Sequence, residues 1–244
     1  MRDPIDVYVW PLDVPPARRQ SLAAHLSDCE RARLSDATLS AVQEEVVIGR
    51  GIMREVVGLY LGCAPDAVAL TRGPHGKPEL ADTTPALHFN LSHSGGMAAL
   101  AVSREAPVGV DIEAARPVTD QLMRAAMTDE ERCALEGLSA GAQQDGVFCR
   151  WVCKEAALKG VGNGLAGGWR EMTVEAGAGP SLIASARIVA GSPHGDDHPP
   201  WRFAAMDLPA GFYGAVAAQS DAPLAVRQRM LTPNVTCDPS LLTR

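Results

Sequence analysis

Two hydrophobic periods, one near 2 and one near 3.6 residues, divide most of the chain into elements. Val7-Tyr8-Val9-Trp10 is a β-branched and aromatic run stopped by Pro11, and it predicts a strand. Helical spacing follows over residues 17–35, with Arg18, Arg19, Arg31 and Arg33 on the polar side. A longer helix is predicted from Leu39 to Leu61, where Val42, Val46, Ile52, Met53, Val56, Val57 and Tyr60 recur near the helical period and Gly62 ends it. The Gly- and Pro-dense run 72–78 is loop chemistry.

Residues 87–92 alternate as a strand, 97–103 form a continuous apolar strand, and 108–113 alternate again after a turn at 104–107. Residues 119–127 and 128–138 read as helices. A strong helix spans roughly 143–159 and is closed by Gly160, Gly162 and Gly164. Residues 172–175, 185–189, 201–206 and 213–218 then read as strands of a meander. The stretch 191–200 reads as a mobile loop, and residues 220–244 as a loosely attached tail. Strand, helices and strands thus occur twice, with the change near Glu105, which predicts an α+β chain of two similar halves, 1–105 and 106–219.

Composition narrows the function classes. With 46% hydrophobic residues the chain can bury a core, which excludes the disordered and disulfide-scaffold classes. A net charge of −7 argues against general nucleic-acid binding. The acidic, Pro-containing N-terminus does not read as a signal peptide, and no run is long enough to span a membrane. The scattered cysteines include no Cys-x-x-Cys pair, so the expected setting is cytoplasmic and reducing.

Three short segments carry chemistry. In Asp111-Ile112-Glu113, strand alternation puts both carboxylates on one face, where a hard cation such as Mg2+ would relieve their repulsion; a solvated polar face is the plainer reading. In the helix from Trp151 to Lys159, Trp151, Glu155 and Lys159 stack at i,i+4. Glu155 is a candidate metal oxygen or base and Lys159 a candidate phosphate partner, against an ordinary surface ion pair, with Lys154 on a solvated face. Third, His88 to Gly96 brings hydroxyls, an imidazole and approachable backbone N–H groups to a strand end, which suits a phosphate. Adjacent Ser92 and His93 lie on opposite faces and no Gly-x-Ser-x-Gly elbow is present, so a serine hydrolase is disfavoured.

In order and spacing, Gly76-Lys77-Pro78, Phe89-Asn90-Leu91-Ser92-His93-Ser94, Gly109-Val110-Asp111-Ile112-Glu113 and Trp151-x-x-Lys154-Glu155-Ala156-x-x-Lys159 resemble the 4'-phosphopantetheinyl transferase superfamily, in particular its Sfp type. The resemblance runs over about residues 5–218. It implies a pseudo-dimer of two α/β halves, each a small, mainly antiparallel sheet with helices, and coenzyme A bound in the cleft between them. It also implies Mg2+ on Asp111, Glu113 and Glu155, with Glu155 as base and Lys159 at the leaving phosphate. Ser92 and His93 would meet coenzyme A phosphates, and Lys77 and Pro78 would line the adenine site. The implied partner is an acidic apo acyl or peptidyl carrier protein, docking near 116–127, and the protein would act as a monomer.

Some positions stay open. Glu131 is either a further acid at the metal or, in Thr128-Asp129-Glu130-Glu131, a helix cap. Glu45 stands where family members often carry an Arg for the 3'-phosphate, and Arg50, Arg31 and Arg33 are the nearby cations. His194-Gly195-Asp196-Asp197-His198 has ligand types without a fold to hold them. A Mg2+-dependent pyrophosphate hydrolase and a non-catalytic binding module are the alternative functions, and the carrier's pathway stays undetermined.

Overall fold

In the computed structural model of the chain, which describes residues 3–34, 41–73, 76–82, 86–162, 171–176, 183, 186–190 and 198–242, the first apolar run is a strand buried on both faces. This strand, β1 (Ile5–Pro11), is followed by helices α1 (Pro16–Ala24), α2 (Asp28–Leu34) and α3 (Ala41–Leu61). Next come β2 (Leu70–Arg72), β3 (Pro78–Leu80), β4 (His88–Ser94), β5 (Met97–Ser103) and β6 (Val108–Ala114). Helices α4 (Asp120–Ala126), α5 (Asp129–Leu135) and α6 (Ala140–Val161) precede strands β7 (Thr173–Glu175), β8 (Arg187–Ala190), β9 (Trp201–Ala205), β10 (Phe212–Gln219) and β11 (Val226–Met230). No helix among the described residues is long and apolar enough to cross a membrane.

Two sheets lie face to face, ordered β11-β1-β5-β4 and β6-β10-β9. Strand alternation explains the layers. Tyr8, Trp10 and Leu100 point to α3 and pack with Ile52, Met53, Val56 and Val57. Val7, Val9, Ala99 and Ala101 point the other way and meet Val108, Val110, Ile112 and Val216 of the second sheet. The far face of that sheet, with Ala215, Ala217 and Phe203, packs on Val152, Ala156 and Ala157 of α6. The order is helix, sheet, sheet, helix, which is the expected α+β class with small, mainly antiparallel sheets.

Three expectations are corrected. The helix over 17–35 is two helices, because Ser27 and Glu30 form a capping box: Ser27 Oγ accepts from Glu30 N (3.3 Å) and Glu30 Oε2 accepts from Ser27 N (3.0 Å). Arg18 is not on the polar side; it is buried and bonds both Glu55 oxygens at 2.7 Å. The segment after 220 is not loosely attached. It adds β11 parallel to β1, with Arg227 forked onto Asp6 at 2.6 and 3.0 Å. Beyond β11, Arg18 binds the carbonyls of Pro233 and Val235, and Glu55 accepts from Cys237 N. Within the run expected as loop, Arg72 and Pro78 pair as the last and first residues of β2 and β3. The expected mobile loop at 191–200 lies, up to 197, outside the described residues.

Lys154 is also corrected, from a solvated face to the interior. It is 0% exposed, with Nζ 2.5 Å from Glu131 Oε2 and 3.1 Å from the carbonyl of Ala126. Burial pulls its pKa down, opposed by Glu131. Glu131 closes a capping box with Thr128 and also accepts from Val174 N at 2.8 Å, so one carboxylate joins α5, α6 and β7. Glu131 is therefore a cap and a buried counter-ion. Lys154→Met would strand that charge, and is predicted to cost about 3–5 kcal/mol in denaturant unfolding; a loss below about 1 kcal/mol would show the pair to be incidental.

Candidate active site

Strands β4 and β6 are each the end strand of their sheet, and they run side by side without a backbone ladder. Buried N–H groups need partners, and here side chains supply them. Val110 N donates to Asn90 Oδ1 (2.8 Å), Ile112 N to Ser92 Oγ (3.4 Å) and Ala114 N to Ser94 Oγ (3.2 Å). The period of two puts Asn90, Ser92 and Ser94 on one face of β4. The two hydroxyls then donate onward, Ser92 to Asp111 Oδ1 and Ser94 to Glu113 Oε2, each at 2.9 Å.

Asp111 and Glu113 share the face of β6 that carries Gly109, and Gly109 lets α6 come close. A Cβ at Gly109 would lie 1.8 Å from the carbonyl oxygen of Ala156, so no other residue fits there. This contact places Glu155 and Lys159, either side of Ala156, beside the two acids. Lys159 Nζ stands 2.5 Å from Asp111 Oδ1 and 2.9 Å from Ser92 Oγ. Arg116 NH1 takes Glu113 Oε2 at 3.0 Å, and its guanidinium lies over the Phe148 and Trp151 rings at 5.5 and 5.2 Å.

The electrostatics follow from crowded, dry acids. Asp111 is 2% exposed, and burial raises its pKa against the pull of Lys159. Glu155 is pushed up to about 7 by burial, with Asp111 and Glu113 adding to the rise and Lys159 opposing it. Asp111 Oδ2 is buried with no hydrogen-bond partner, a cost that calls for a ligand. Among the described residues no group of three or more His, Cys, Asp or Glu forms a ready-made metal cage. The donor set nonetheless suits Mg2+, which keeps several waters and binds through one or two carboxylates plus substrate phosphates.

His93 is exposed; the protein around its ring lowers its pKa, with Glu45 opposing and Lys159 and Arg50 adding to the fall. Arg50 NH1 is 3.7 Å from Glu30 Oε1 and lines a cavity of about 340 Å3 with Arg72 and Pro78. A second cavity, of about 300 Å3, is lined by Lys77, Pro78, His88, Phe89, Gly160 and Val161. Ser92 is buried and its hydroxyl is engaged in the β4–β6 seam. Within 116–127, Met127 packs in a buried cluster with Ala126, Leu135 and Val147, against which Leu122 and Met123 rest half-buried. Of the His/Asp run at 194–198, residues 194–197 lie outside the described residues.

Sequence reasoning missed Asn90, Ser94 and Arg116 as shapers of the site. The spacing 90/92/94 was a signal for the first two. Nothing in the sequence marks Arg116, which reaches Glu113 only because β6 ends one residue after that acid.

Two family models cover most of the chain: one described as 4'-phosphopantetheinyl transferase, N-terminal, matches residues 15–105, and one described as 4'-phosphopantetheinyl transferase superfamily matches 107–204. The chain is 38% identical to the 4'-phosphopantetheinyl transferase HetI of Nostoc sp. over 66% of its length and 70% of that protein. It is 28% identical to the transferase psf-1 of Bacillus pumilus over 68% of the chain and 72% of the relative. Against the transferase Sfp of Bacillus subtilis it is 28% identical over 49% of the chain and 52% of that protein. The two matched halves meet between residues 105 and 107, as the pseudo-dimer expectation requires. The chain belongs to the 4'-phosphopantetheinyl transferase superfamily, in its Sfp type, and is a transferase.

Proposed function

We propose that the protein moves the phosphopantetheine arm of coenzyme A onto a serine hydroxyl of an apo acyl or peptidyl carrier protein, releasing 3',5'-ADP. The observation that carries this reading is the convergence of Asp111, Glu113 and Glu155 beside the unpartnered Asp111 Oδ2, with Lys159 facing the same acids. Family membership supports it, since relatives are named for phosphopantetheinyl transfer.

Transfer breaks a pyrophosphate P–O bond while a serine oxygen bonds to the same phosphorus. Positioning and charge neutralisation supply most of such a rate. A bound Mg2+, held by Asp111, Glu113 and Glu155, would neutralise pyrophosphate oxygens. Ser92 and Ser94 hold the two strand acids in place. Glu155 takes the serine proton directly or through water. Lys159 meets the charge developing on the departing 3',5'-ADP. His93 and Arg50 face the 3'-phosphate, and the backbone of Lys77 and Pro78 walls the adenine. The second half supplies within one chain what a second subunit would, so the protein acts as a monomer.

Glu155→Gln is predicted to lower transfer at least about 1,000-fold, combining loss of base and ligand, while the circular dichroism spectrum stays unchanged. Full activity in that variant would remove Glu155 from the mechanism. EDTA is expected to abolish transfer and Mg2+ to restore it. Mass spectrometry of the apo carrier decides between readings. A gain of one phosphopantetheine supports transfer, 3',5'-ADP release without labelling indicates a pyrophosphate hydrolase, and neither product indicates a binding module.

A pH dependence follows for the metal-free protein. Glu155 has a folded pKa of about 7, above the usual value of 4.5, so the native state binds the extra proton between those values. Its contribution to stability is therefore lost as pH rises from 4.5 to 7. Melting temperature should fall over that window without metal, and Mg2+ should raise it most at pH 7 and above. Equal Mg2+ stabilisation at pH 5 and pH 8 would contradict this.

A further inference from the structure

Helix α6 ends at Val161, and Gly162 turns the chain with φ 84°, its N–H closing on the carbonyl of Leu158. A helix end leaves carbonyls without partners. Those of Lys159 and Gly160 are taken by Lys77, whose Nζ donates at 2.6 and 3.3 Å. Lys77 reaches them from the first half of the chain, just before β3, and its charge also meets the negative end of the helix dipole.

The close contact of Gly109 with Ala156 and with Gly160 N sets how near α6 lies to β6. Lys77 adds a tether to the last turn through its carbonyls. Lys159 lies in that turn, with its carbonyl bound by Lys77 and its ammonium bound to Asp111 Oδ1 at 2.5 Å. Lys77 and Asp111 therefore hold one residue from two sides. Because the Lys77 side chain goes to the helix, the backbone at 77–78 and the Pro78 ring are left to form the wall that Pro78 gives to both cavities.

We propose that Lys77 is a positioning residue: by capping the Lys159 and Gly160 carbonyls it fixes the last turn of α6, and so the place of the Lys159 ammonium against Asp111. The proposal rests on the transfer reading of the site, although its structural half does not. A residue that only contacts coenzyme A would change KM, whereas a positioning residue changes kcat.

The test is Lys77→Met in the full chain, read in two ways. Hydrogen exchange, without metal or coenzyme A, is expected to run at least about 10-fold faster at the amides of residues 158–162, as for a helix end set free to open locally. With a carrier substrate, kcat is expected to fall about 10- to 100-fold, with KM for coenzyme A within about 3-fold of the unsubstituted protein. Unchanged exchange overturns the proposal, and so does a rise in KM larger than the fall in kcat. If circular dichroism shows Lys77→Met unfolded, Lys77→Gln is judged by the same criteria. If the unsubstituted protein transfers nothing, the transfer reading falls and exchange alone decides whether Lys77 holds the helix end.

Discussion

The structure depends on how two end strands share a boundary. Strands β4 and β6 lie alongside each other without a ladder, and the N–H groups of Val110, Ile112 and Ala114 take side-chain partners from Asn90, Ser92 and Ser94. A buried N–H left unpaired would cost about 1–3 kcal/mol. The seam is therefore polar by necessity, and its hydroxyls carry protons that need acceptors of their own. Asp111 and Glu113 accept them. Joining the halves and orienting the acids are one hydrogen-bond network.

From that network the rest of the site follows by packing. Gly109 admits the backbone of α6, which brings Glu155 and Lys159 to the acids. Ion pairs then hold this half in register. Lys154 with Glu131 ties α6 to α5 and β7, and Lys159 with Asp111 ties α6 to β6. Arg116, lying over the Phe148 and Trp151 rings, bonds the same Glu113 oxygen as Ser94. The Lys159 pair leaves one acid oxygen uncommitted, Asp111 Oδ2. The first half anchors its own edge in another way, by folding the chain's C-terminal segment back as β11 against β1.

Much of this was legible in the sequence. The period-two runs gave β4 and β6, the continuous apolar run gave β5, and the helical period gave α3 and most of α6. The four motifs led to Asp111, Glu113, Glu155 and Lys159, which the fold brings together, because strand and helix spacing decide which side chains share a face. What stayed hidden depends on long-range partners. Val226-Arg227-Gln228-Arg229-Met230 is too polar to read as a strand until Asp6 stands opposite Arg227. Arg18 and Lys154 look like surface cations, since nothing local reveals that Glu55 and Glu131 wait in the interior. Glu131 showed its cap in the sequence, but its bond to Lys154 only in three dimensions. Lys77 was read as a ligand residue from its motif, and its reach to the end of α6 needed the fold.

The central claim is that the seam sets the acids proposed to hold Mg2+, and Ser94→Ala tests it most directly. Ser94 joins Ala114 N to Glu113 Oε2 and sits at the end of β4. Titration of transfer activity with Mg2+ should show half-saturation weakened by about 10- to 100-fold, the usual effect of removing a partner that orients a metal ligand. An unchanged Mg2+ dependence would mean that Glu113 is oriented without the seam, and would contradict the account.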